Sequence, residues 1–508
     1  MYEDKEGRLI VVSNRLPIVV KKSGANRYEL TPSSGGLVTA MTPVLKRDGG
    51  VWVGWAGNYE EEGVVLETLL RQEEQNLAYS YEPVDINLKE YELYYKGFCN
   101  EILWPLFHNL SVYCNFSADY FKAFKRVNRK FAQTVAEALI DNDFIWIHDY
   151  HLINTGEELR KNGIQNRIAF FLHIPFPPAE TFNRIPWRLQ IVKALLAYDL
   201  IGFQTETDKK NFLEVVTTCI DESEINAKMP DPATIVGKKR ENKVAVFPIS
   251  IDYNEFSDAA GSKPVVQRYR EIKEGYHGQK IILGVDRLDY SKGIPQRLKA
   301  YRTLLKRNPQ LHTKVKLIQV LVPSREDIIE YGNLKREIEQ LVGEINGRFS
   351  QPGWIPIQNC YYTLSREELL AYYRASDIAL VTPLKDGMNL VAKEYCVTNI
   401  DREGVLILSR FAGVRQQFKD DALLVNPFDE ESVVDALKKA LFMDSEEKHK
   451  RMEKMQENVR KYDIYWWVDA FLQAGKRQER GRKKMLSADH FSTVVKAMKN
   501  ASAVTGRD

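Results

Sequence analysis

Short runs of apolar, often β-branched residues alternate along the chain with segments whose apolar positions repeat with the period of an amphipathic helix. The apolar runs are RLIVVSN, DFIWIHD, RIAFFLHIP, LIGFQT and VAVFPISI in the first half, and KIILGVD, VKLIQVLVP, IALVTP and GVLILS in the second. Amphipathic segments such as TGEELRKNG and PQRLKAYRTLLKRN lie between them. Strands apolar on both faces and joined by helices form parallel sheets. The pattern therefore predicts an α/β fold with two doubly wound, Rossmann-like units.

The length of the chain agrees with two units, since 508 residues exceed the roughly 250–300 at which one core stops growing. We expect an N-terminal domain over residues 1–250, ending after VAVFPIS, and a second domain over 251–475, with a cleft between them. Residues 476–508 are expected to form a basic tail with a weak helix over HFSTVVKAMKN. The polar segment DESEINAKMPDPATIVGKKRENK is rich in turn formers and is expected to be an exposed excursion.

Composition and charge exclude several classes of protein. The 72 basic and 69 acidic residues nearly cancel, to +3, and the basic run AGKRQERGRKK lacks the interleaved aromatic residues that stack on bases, so we expect a solvated surface and no nucleic-acid partner. No apolar run approaches the roughly 18 residues of a membrane span, and the start does not resemble a secretory signal. These features predict a cytoplasmic protein with no membrane contact.

The cysteines are odd in number and scattered, without a C-x-x-C pair, so neither a disulfide framework nor a zinc site is indicated. We expect buried free thiols. The five positions are Cys99, Cys114, Cys219, Cys360 and Cys396.

Four polar groups follow predicted strands, where doubly wound proteins bind their ligands. The first is SNRLP with the glycines of SSGGL. Arg15 offers a bidentate fork for phosphate, while Gly35 and Gly36 allow close backbone approach and N–H groups at the next helix start. A tight turn with a surface arginine explains the same residues.

The second group ends the strand DFIWIHDYHL. Asp149 is suited to accept hydrogen bonds from sugar hydroxyls, or to cap the following helix. His148 and His151 are candidates for a metal site or for pairing in the core, although no third ligand has suitable spacing. Tyr150 lies between them.

The third group is His173 in FFLHIPFPPAETF. The prolines that follow force an extended, rigid exit from the strand, so the side chain of His173 has a fixed direction. A structural histidine and a site histidine both fit this pattern.

The fourth group comprises GVDRLDYSKGIPQRL and TPLKDGMNLVAKEY. Arg287 and Lys292 flank a strand-to-helix turn and would neutralise a diphosphate without a metal. Asp386 precedes a helix that begins near Asn389, whose free N–H groups suit phosphate oxygens. Glu394, further along, is placed to hold ribose hydroxyls. Surface salt bridges are the alternative explanation.

The chain lacks the P-loop pattern, a strand-linked G-x-G-x-x-G, H-E-x-x-H and G-x-S-x-G. Nucleotide hydrolysis, nicotinamide chemistry and serine hydrolysis therefore lose support.

In this order, SNRLP, SSGGL, WIHDYHL, FFLHIPFP, RLDYSKG and DGMNLVAKEY resemble the trehalose-6-phosphate synthases, retaining glycosyltransferases of GT-B architecture in family 20. The likeness runs from about residue 8 to about residue 475. It implies transfer of glucose from UDP-glucose to glucose 6-phosphate, in trehalose biosynthesis and osmoprotection. The resemblance implies an acceptor site formed by Arg15, Tyr95, Trp104, Asp149 and Arg325, with the phosphate held by the two arginines. It implies a donor site formed by Gly35, Gly36, His173, Arg287, Lys292, Asp386, Asn389, Leu390, Val391 and Glu394.

The resemblance also implies retention at the anomeric carbon. No carboxylate nucleophile is evident in these motifs, so a two-carboxylate scheme fits poorly. We expect front-side displacement, with Asp149, His173, Arg287 and Lys292 as the catalytic residues, and no cofactor or metal. A homo-oligomer is compatible with the sequence.

Two alternatives remain at this point. One is a synthase with another acceptor, such as a glucosylglycerol-phosphate synthase; Arg15, SSGGL and Trp104 favour glucose 6-phosphate. The other is a non-catalytic sugar-phosphate sensor, against which the joint presence of Arg287, Lys292, Asp386 and Glu394 argues.

Overall fold

The computed structural model describes residues 7–22, 28–32, 36–57, 63–75, 77–221, 225–228, 233–237, 240–325 and 328–476. Within these ranges the strands are, in chain order, β1 (Leu9–Arg15), β2 (Ile18–Lys22), β3 (Tyr28–Pro32), β4 (Gly50–Trp55), β5 (Tyr79–Pro83), β6 (Phe144–His148), β7 (Arg167–Phe171), β8 (Leu200–Phe203), β9 (Ile225–Lys228), β10 (Ala233–Gly237), β11 (Glu241–Val246), β12 (Lys280–Arg287), β13 (Val315–Val322), β14 (Ile357–Cys360), β15 (Ile378–Val381), β16 (Val405–Ser409) and β17 (Leu423–Val425).

The α-helices of the same ranges are α1 (Gly36–Asp48), α2 (Gly63–Glu74), α3 (Leu88–Tyr91), α4 (Trp104–Phe107), α5 (Ala118–Ala138), α6 (Thr155–Lys161), α7 (Ala179–Phe182), α8 (Arg188–Leu195), α9 (Glu206–Cys219), α10 (Tyr253–Ala260), α11 (Lys263–Gly275), α12 (Ile294–Arg307), α13 (Ile329–Phe349), α14 (Arg366–Ala375), α15 (Leu390–Thr398), α16 (Arg415–Phe418), α17 (Glu430–Leu441), α18 (Ser445–Lys461) and α19 (Ile464–Gly475). A π-helix spans Glu92–Leu103, and 3₁₀ turns span Ser111–Tyr113, Tyr150–Leu152, Tyr290–Lys292 and Pro309–Leu311.

The strands form two large sheets. In the described part of the chain the first has the order β5-β4-β1-β6-β7-β8-β11-β10-β9, and the second β14-β13-β12-β15-β16-β17. The second sheet is parallel throughout, and its order is the 3-2-1-4-5-6 arrangement of a Rossmann fold. The first six strands of the first sheet follow the same order. The prediction of two doubly wound units is therefore confirmed.

Each sheet packs its helices around a hydrophobic core of its own. One buried cluster extends from Ile10 to Val244 and the other from Ile282 to Met443. The last helix, α19, lies on the first sheet, where the ring of Phe471 stacks on Trp146 at 4.1 Å. The two groups of elements are called the first and the second lobe below; the domain limits at residues 250 and 475 stay predictions.

One prediction about local structure is wrong. The segment expected to be an exposed excursion contains β9 and β10, which extend the first sheet as antiparallel strands. Ala233 and Ile235 are buried, because alternate side chains of β10 face the core although the segment is polar overall. The short strands β4, β5, β14 and β17 were also not predicted.

The described cysteines are all free. Cys99, Cys360 and Cys396 are buried as expected, whereas Cys114 and Cys219 are only half-buried, which corrects the expectation for these two. In the described ranges no helix is long and apolar enough to cross a membrane. The predicted tail lies outside the described residues from residue 477 onward.

Candidate active site

The polar groups predicted from the sequence lie at the carboxyl ends of the central strands. Arg15 ends β1, His148 ends the neighbouring strand β6, and Arg287 ends β12. The loop with Asp386 follows β15, which lies next to β12 in the second sheet. In each sheet the strand order reverses between these neighbouring strands, which is where doubly wound folds bind ligands.

The loop before α15 presents the amino end of that helix. Asn389 has a positive φ of 59°, and its side-chain oxygen accepts a hydrogen bond from the N–H of Ala392. The amide of Asn389 also donates to Asp386 over 3.2 Å. This cap fixes the first turn of α15, whose remaining N–H groups and positive dipole end suit an anion.

Lys292 and Asp386 form a buried ion pair. The ammonium lies 2.6 Å from a carboxylate oxygen, and the side chains are only 13% and 10% exposed. Burial acts to raise the pKa of Asp386, but Lys292 outweighs it and holds that pKa below its usual value. The alternative of a surface salt bridge is therefore excluded for this pair. Arg287, in contrast, is exposed, with its guanidinium 5.5 Å from the ring centre of Trp104.

The same loop touches the first lobe closely. Gly387 lies against the backbone carbonyl of His173, where a Cβ atom would collide. A Cβ on Gly36 would lie 3.1 Å from a methyl carbon of Leu390, so α1 of the first lobe begins beside the start of α15. Nδ1 of His173 lies 3.3 Å from the sulfur of Met388. Glycine is required at Gly387, where the two backbones meet, because any side chain there would collide with the carbonyl.

His148 and His173 form a pair of neutral imidazoles. Nδ1 of His148 lies 3.0 Å from Nε2 of His173, and burial lowers both pKa values, that of His173 to about 3. One proton between these nitrogens makes a hydrogen bond between the two rings in either tautomer. His148 therefore pairs within the core of the first lobe, which was one of the two alternatives predicted for it. His173 reaches the cleft.

Asp149 does not cap the following turn, which corrects that alternative. Its backbone has a φ of 75°, no side-chain cap bond is made, and its carboxylate accepts a hydrogen bond from the N–H of His173 over 3.2 Å. Burial raises the pKa of Asp149 to about 7, against the opposing effects of backbone N–H groups, Arg287 and Arg325. The Asp149 carboxyl is thus poised to change its charge near neutral pH.

Arg325 crosses from the second lobe to the first. Its guanidinium carbon lies 4.1 Å from the ring centre of Trp104, and it donates to the hydroxyls of Tyr150 and Tyr331 at 3.3 and 2.6 Å. An ion pair with Asp289 spans 3.5 Å. The Nε atom is buried without a hydrogen-bond partner among the described residues, and a bound anion would supply one.

Arg15 and Tyr95 lie together on the first-lobe side. The Arg15 guanidinium is 4.7 Å from the ring centre of Trp55 and 6.0 Å from that of Tyr95. Tyr95 comes from the π-helix, a form common at functional sites, and its ring stacks on His151 at 5.7 Å. Burial holds the pKa of His151 well below its usual value, so His151 is neutral, and its 3.8 Å approach to Asp149 is not an ion pair.

Two further predicted donor residues, Glu394 and Val391, lie on α15. Glu394 accepts a hydrogen bond from the Tyr373 hydroxyl over 2.9 Å, and burial raises its pKa. Val391 is half-buried in the first turn of α15. Gly35 lies outside the described residues.

Two titratable groups beneath the cleft were not among the residues predicted from the sequence. Asp289 is fully buried, and the attraction of Arg325 keeps its pKa low despite the opposing effect of burial. Burial lowers the pKa of His108 to about 4, and this ring contacts the carbonyl of Trp104. The signal for Asp289 was present, since an acidic residue lies between the two basic residues of RLDYSKG. His108 had no such signal.

Within the described residues no group of three or more histidine, cysteine or carboxylate side chains is arranged to hold a metal ion. The rings of His148 and His151 have different neighbours, so these two residues do not form the start of a metal site.

The two Rossmann-type sheets, parallel except at β9 and β10, have their switch points at one cleft, with cations and a capped helix start beside it. This is the GT-B architecture of glycosyltransferases. The sequence model described as glycosyltransferase family 20 matches residues 7–477. The chain belongs to this family and is a transferase.

Similar proteins carry consistent names. The chain is 39% identical over 472 residues to "Alpha,alpha-trehalose-phosphate synthase [UDP-forming] 2" of Aspergillus niger, covering 92% of this chain and 96% of the relative. A Dictyostelium discoideum relative, synthase A, is 38% identical, and the chain spans only 64% of its length.

Two solved structures with this fold contain ligands according to their descriptions. A Burkholderia xenovorans synthase in complex with glucose-6-phosphate has a TM-score of 0.82 and 36% identity, covering 92% of this chain and all of that one. A trehalose-6-phosphate synthase structure from E. coli, bound with UDP-2-fluoro glucose, has a TM-score of 0.82 and 35% identity, covering 93% and 99%. None of these relatives is described as a glucosylglycerol-phosphate synthase or a sensor.

Proposed function

We propose that this protein is a UDP-forming α,α-trehalose-phosphate synthase, which transfers glucose from UDP-glucose to glucose 6-phosphate with retention at the anomeric carbon. The observation that carries the proposal is the juxtaposition of two anion-binding groups in one cleft. Lys292, Arg287 and the start of α15 form one group. Arg325, whose Nε has no hydrogen-bond partner among the described residues, forms the other against Trp104, the ring that Arg287 also approaches. A diphosphate donor and a phosphorylated acceptor each need such a group.

We assign the donor diphosphate to Arg287, Lys292 and the first turn of α15, near Asn389, Leu390 and Val391. Gly36, at the start of α1, lies against Leu390 and so borders the end of the cleft at which α15 begins. Glu394 is assigned to the ribose hydroxyls, although its present partner is Tyr373.

The acceptor is assigned to the region where Arg15, Tyr95, Trp104, Asp149 and Arg325 line the cleft. Arg15 and Arg325 would hold the phosphate, and Asp149 would accept a hydrogen bond from the reacting glucose. His173, rigid between Asp149 and Met388, would contact the donor glucose near its anomeric carbon.

The proposed reaction is a front-side displacement. The bond between the anomeric carbon and the diphosphate oxygen breaks, a bond to the acceptor hydroxyl oxygen forms on the same face, and the hydroxyl proton passes to the departing diphosphate. Asp289 and Asp386 are each engaged by a cation, so neither suits the nucleophile of a two-carboxylate mechanism. Cationic groups that stabilise the departing charge supply the rate enhancement.

The test is to incubate the protein with UDP-, ADP- and GDP-glucose against glucose 6-phosphate and glycerol 3-phosphate, and to identify products by mass and NMR. The expected product is α,α-trehalose 6-phosphate from UDP-glucose and glucose 6-phosphate. EDTA in the reaction is expected to have no effect, because we propose that no metal takes part. Absence of a disaccharide phosphate contradicts the proposal.

A cytoplasmic location and assembly into a homo-oligomer remain proposals from sequence.

The activity should depend on pH through Asp149. Because the pKa of this carboxyl is raised to about 7, it gains its charge as pH rises through neutrality, and kcat/KM for glucose 6-phosphate should rise between pH 6 and 8 by roughly the change in ionised fraction. The measurement is the pH profile of kcat/KM for the parent and for Asp149→Asn. The variant should be at least about tenfold slower and lack this ionisation.

Two controls separate this effect from others. The acceptor phosphate also titrates, at about pH 6, and that step should remain in Asp149→Asn.

The pKa of Asp149 in the folded protein exceeds its ordinary value of 3.8. The stability gained by holding this carboxyl protonated is therefore fully present below pH 3.8, and it is lost as pH rises through about 7. Asp149→Asn should therefore be relatively more stable than the parent at pH 8 than at pH 5. Identical pH profiles of the parent and the variant would contradict the role.

A further inference from the structure

Lys393 is a buried lysine that the proposed reaction does not use. It lies on α15, the helix whose start is assigned to the diphosphate, and is only 1% exposed. Its ammonium group donates a hydrogen bond of 2.8 Å to the backbone carbonyl of Ile249. Burial lowers its pKa to about 7. Burial of a lysine whose partner is a backbone carbonyl costs free energy, so packing alone does not explain a lysine at this position.

Ile249 lies in the segment 247–252, where the chain leaves the first lobe for the second. Carbonyls of alternate residues of this segment accept hydrogen bonds from later parts of the chain. Trp467 donates to Phe247 and the N–H of Ile464 donates to Ile251, both over 3.0 Å. Lys393 supplies the middle bond of this series.

The peptide groups of Ile249 are bonded in two directions. Its N–H donates to the side-chain oxygen of Gln204, which follows β8 of the first lobe, over 3.0 Å. Its carbonyl accepts from Lys393 of the second lobe. Trp467 and Ile464 belong to α19, the helix that lies on the first sheet. Of these three donors, Lys393 is therefore the one that connects the crossover segment, residues 247–252, to α15, the helix assigned to the nucleotide.

We infer that Lys393 is a positioning residue, which ties the diphosphate-binding helix to the crossover segment and so couples donor binding to closure of the two lobes. The inference rests on the proposed function for the identity of the donor. The contacts that closure must align are those between the α15 loop and the first lobe, Gly387 with His173 and Gly36 with Leu390. A shift of the helix relative to the crossover would separate them, and misplacement of about 1 Å can cost about 10²-fold in rate.

The test replaces Lys393 by Met, which keeps the length and removes the donor. The matched control is Lys316→Met in the same lobe: Lys316 is half-buried, burial also lowers its pKa, and its ammonium lies 5.1 Å from the Tyr276 ring, not on the crossover. Lys393→Met should lower kcat at least tenfold, with the Kd for UDP changed less than threefold by calorimetry. It should also lessen the UDP-glucose-induced decrease in radius of gyration measured by X-ray scattering. Lys316→Met should leave all three unchanged.

Gln204→Leu removes the other bond of the same residue and should lower kcat in the same way. The double variant should then lose less than the sum of the two effects, because both bonds act through Ile249. Unchanged kcat in Lys393→Met overturns the inference, as does a parallel loss of kcat, UDP binding and thermal midpoint, which describes a purely structural residue. If the parent makes no disaccharide phosphate, the proposed function fails, and the inference is still judged from the ligand-induced contraction.

Discussion

Replacement of Arg287 by alanine is expected to lower kcat for glucosyl transfer by about 10²–10³, the loss seen when one group that stabilises developing charge is removed. Arg287 ends β12, is exposed, and among the described residues has no carboxylate ion pair within 4.0 Å. Its charge is therefore available to a departing diphosphate. The measurement is steady-state kinetics with both substrates varied.

The fold should survive this change, because an exposed side chain at a strand end contributes little to stability. Arg287→Lys keeps the charge without the planar fork and should fall between the parent and Arg287→Ala. Arg307→Ala is the matched control, since Arg307 is also exposed in the second lobe but pairs with Glu431; its kcat should equal that of the parent. Near-normal turnover in Arg287→Ala would remove this residue from the proposed mechanism.

The sequence was sufficient to predict the central strands of the two sheets, because these are short apolar runs with recognisable ends, but it did not predict β4, β5, β14 and β17. It also placed Arg15, His148, Asp149 and Arg287 at the carboxyl ends of strands, since a polar segment follows the apolar run in each case. It failed at β10, where the polar composition concealed an alternating pattern with Ile235 facing the core.

The contacts that assemble the candidate site were not predictable in the same way. Met388 meets His173 across 215 positions of the chain, and Arg325 meets Tyr150 across 175. Such pairs depend on how the two lobes meet, and no local spacing encodes them. The rise in the pKa of Asp149 likewise arises from burial by distant residues. The motif also gave no indication of the positive φ of this residue. Resemblance to a family suggested which residues belong together, while the geometry gave their partners.

Replacement of Lys292 by methionine is expected to affect both stability and turnover. It leaves Asp386, whose side chain is 10% exposed, without its cation, and breaking a buried pair from one side costs about 3–5 kcal/mol. The low pKa of Asp386 means that this stabilisation is present above its ordinary value of 3.8 and is lost as pH falls through the folded pKa. Denaturant unfolding at pH 7 and near pH 3 measures the difference, which should shrink at the lower pH.

The double variant Lys292→Met with Asp386→Asn separates the two effects. Removing the unpaired charge should restore most of the lost stability, because the amide can keep polar contacts with Asn389 and the N–H of Met388. Turnover should stay at least about 10²-fold low, because the ammonium that would stabilise the departing diphosphate is still missing. Lys299→Met is the control, since its pair with Glu337 is exposed at 40% and 48% and should contribute about 0–1 kcal/mol. If the double variant regained normal turnover, Lys292 would only support the fold, and the charge for the leaving group would come from Arg287 and the start of α15.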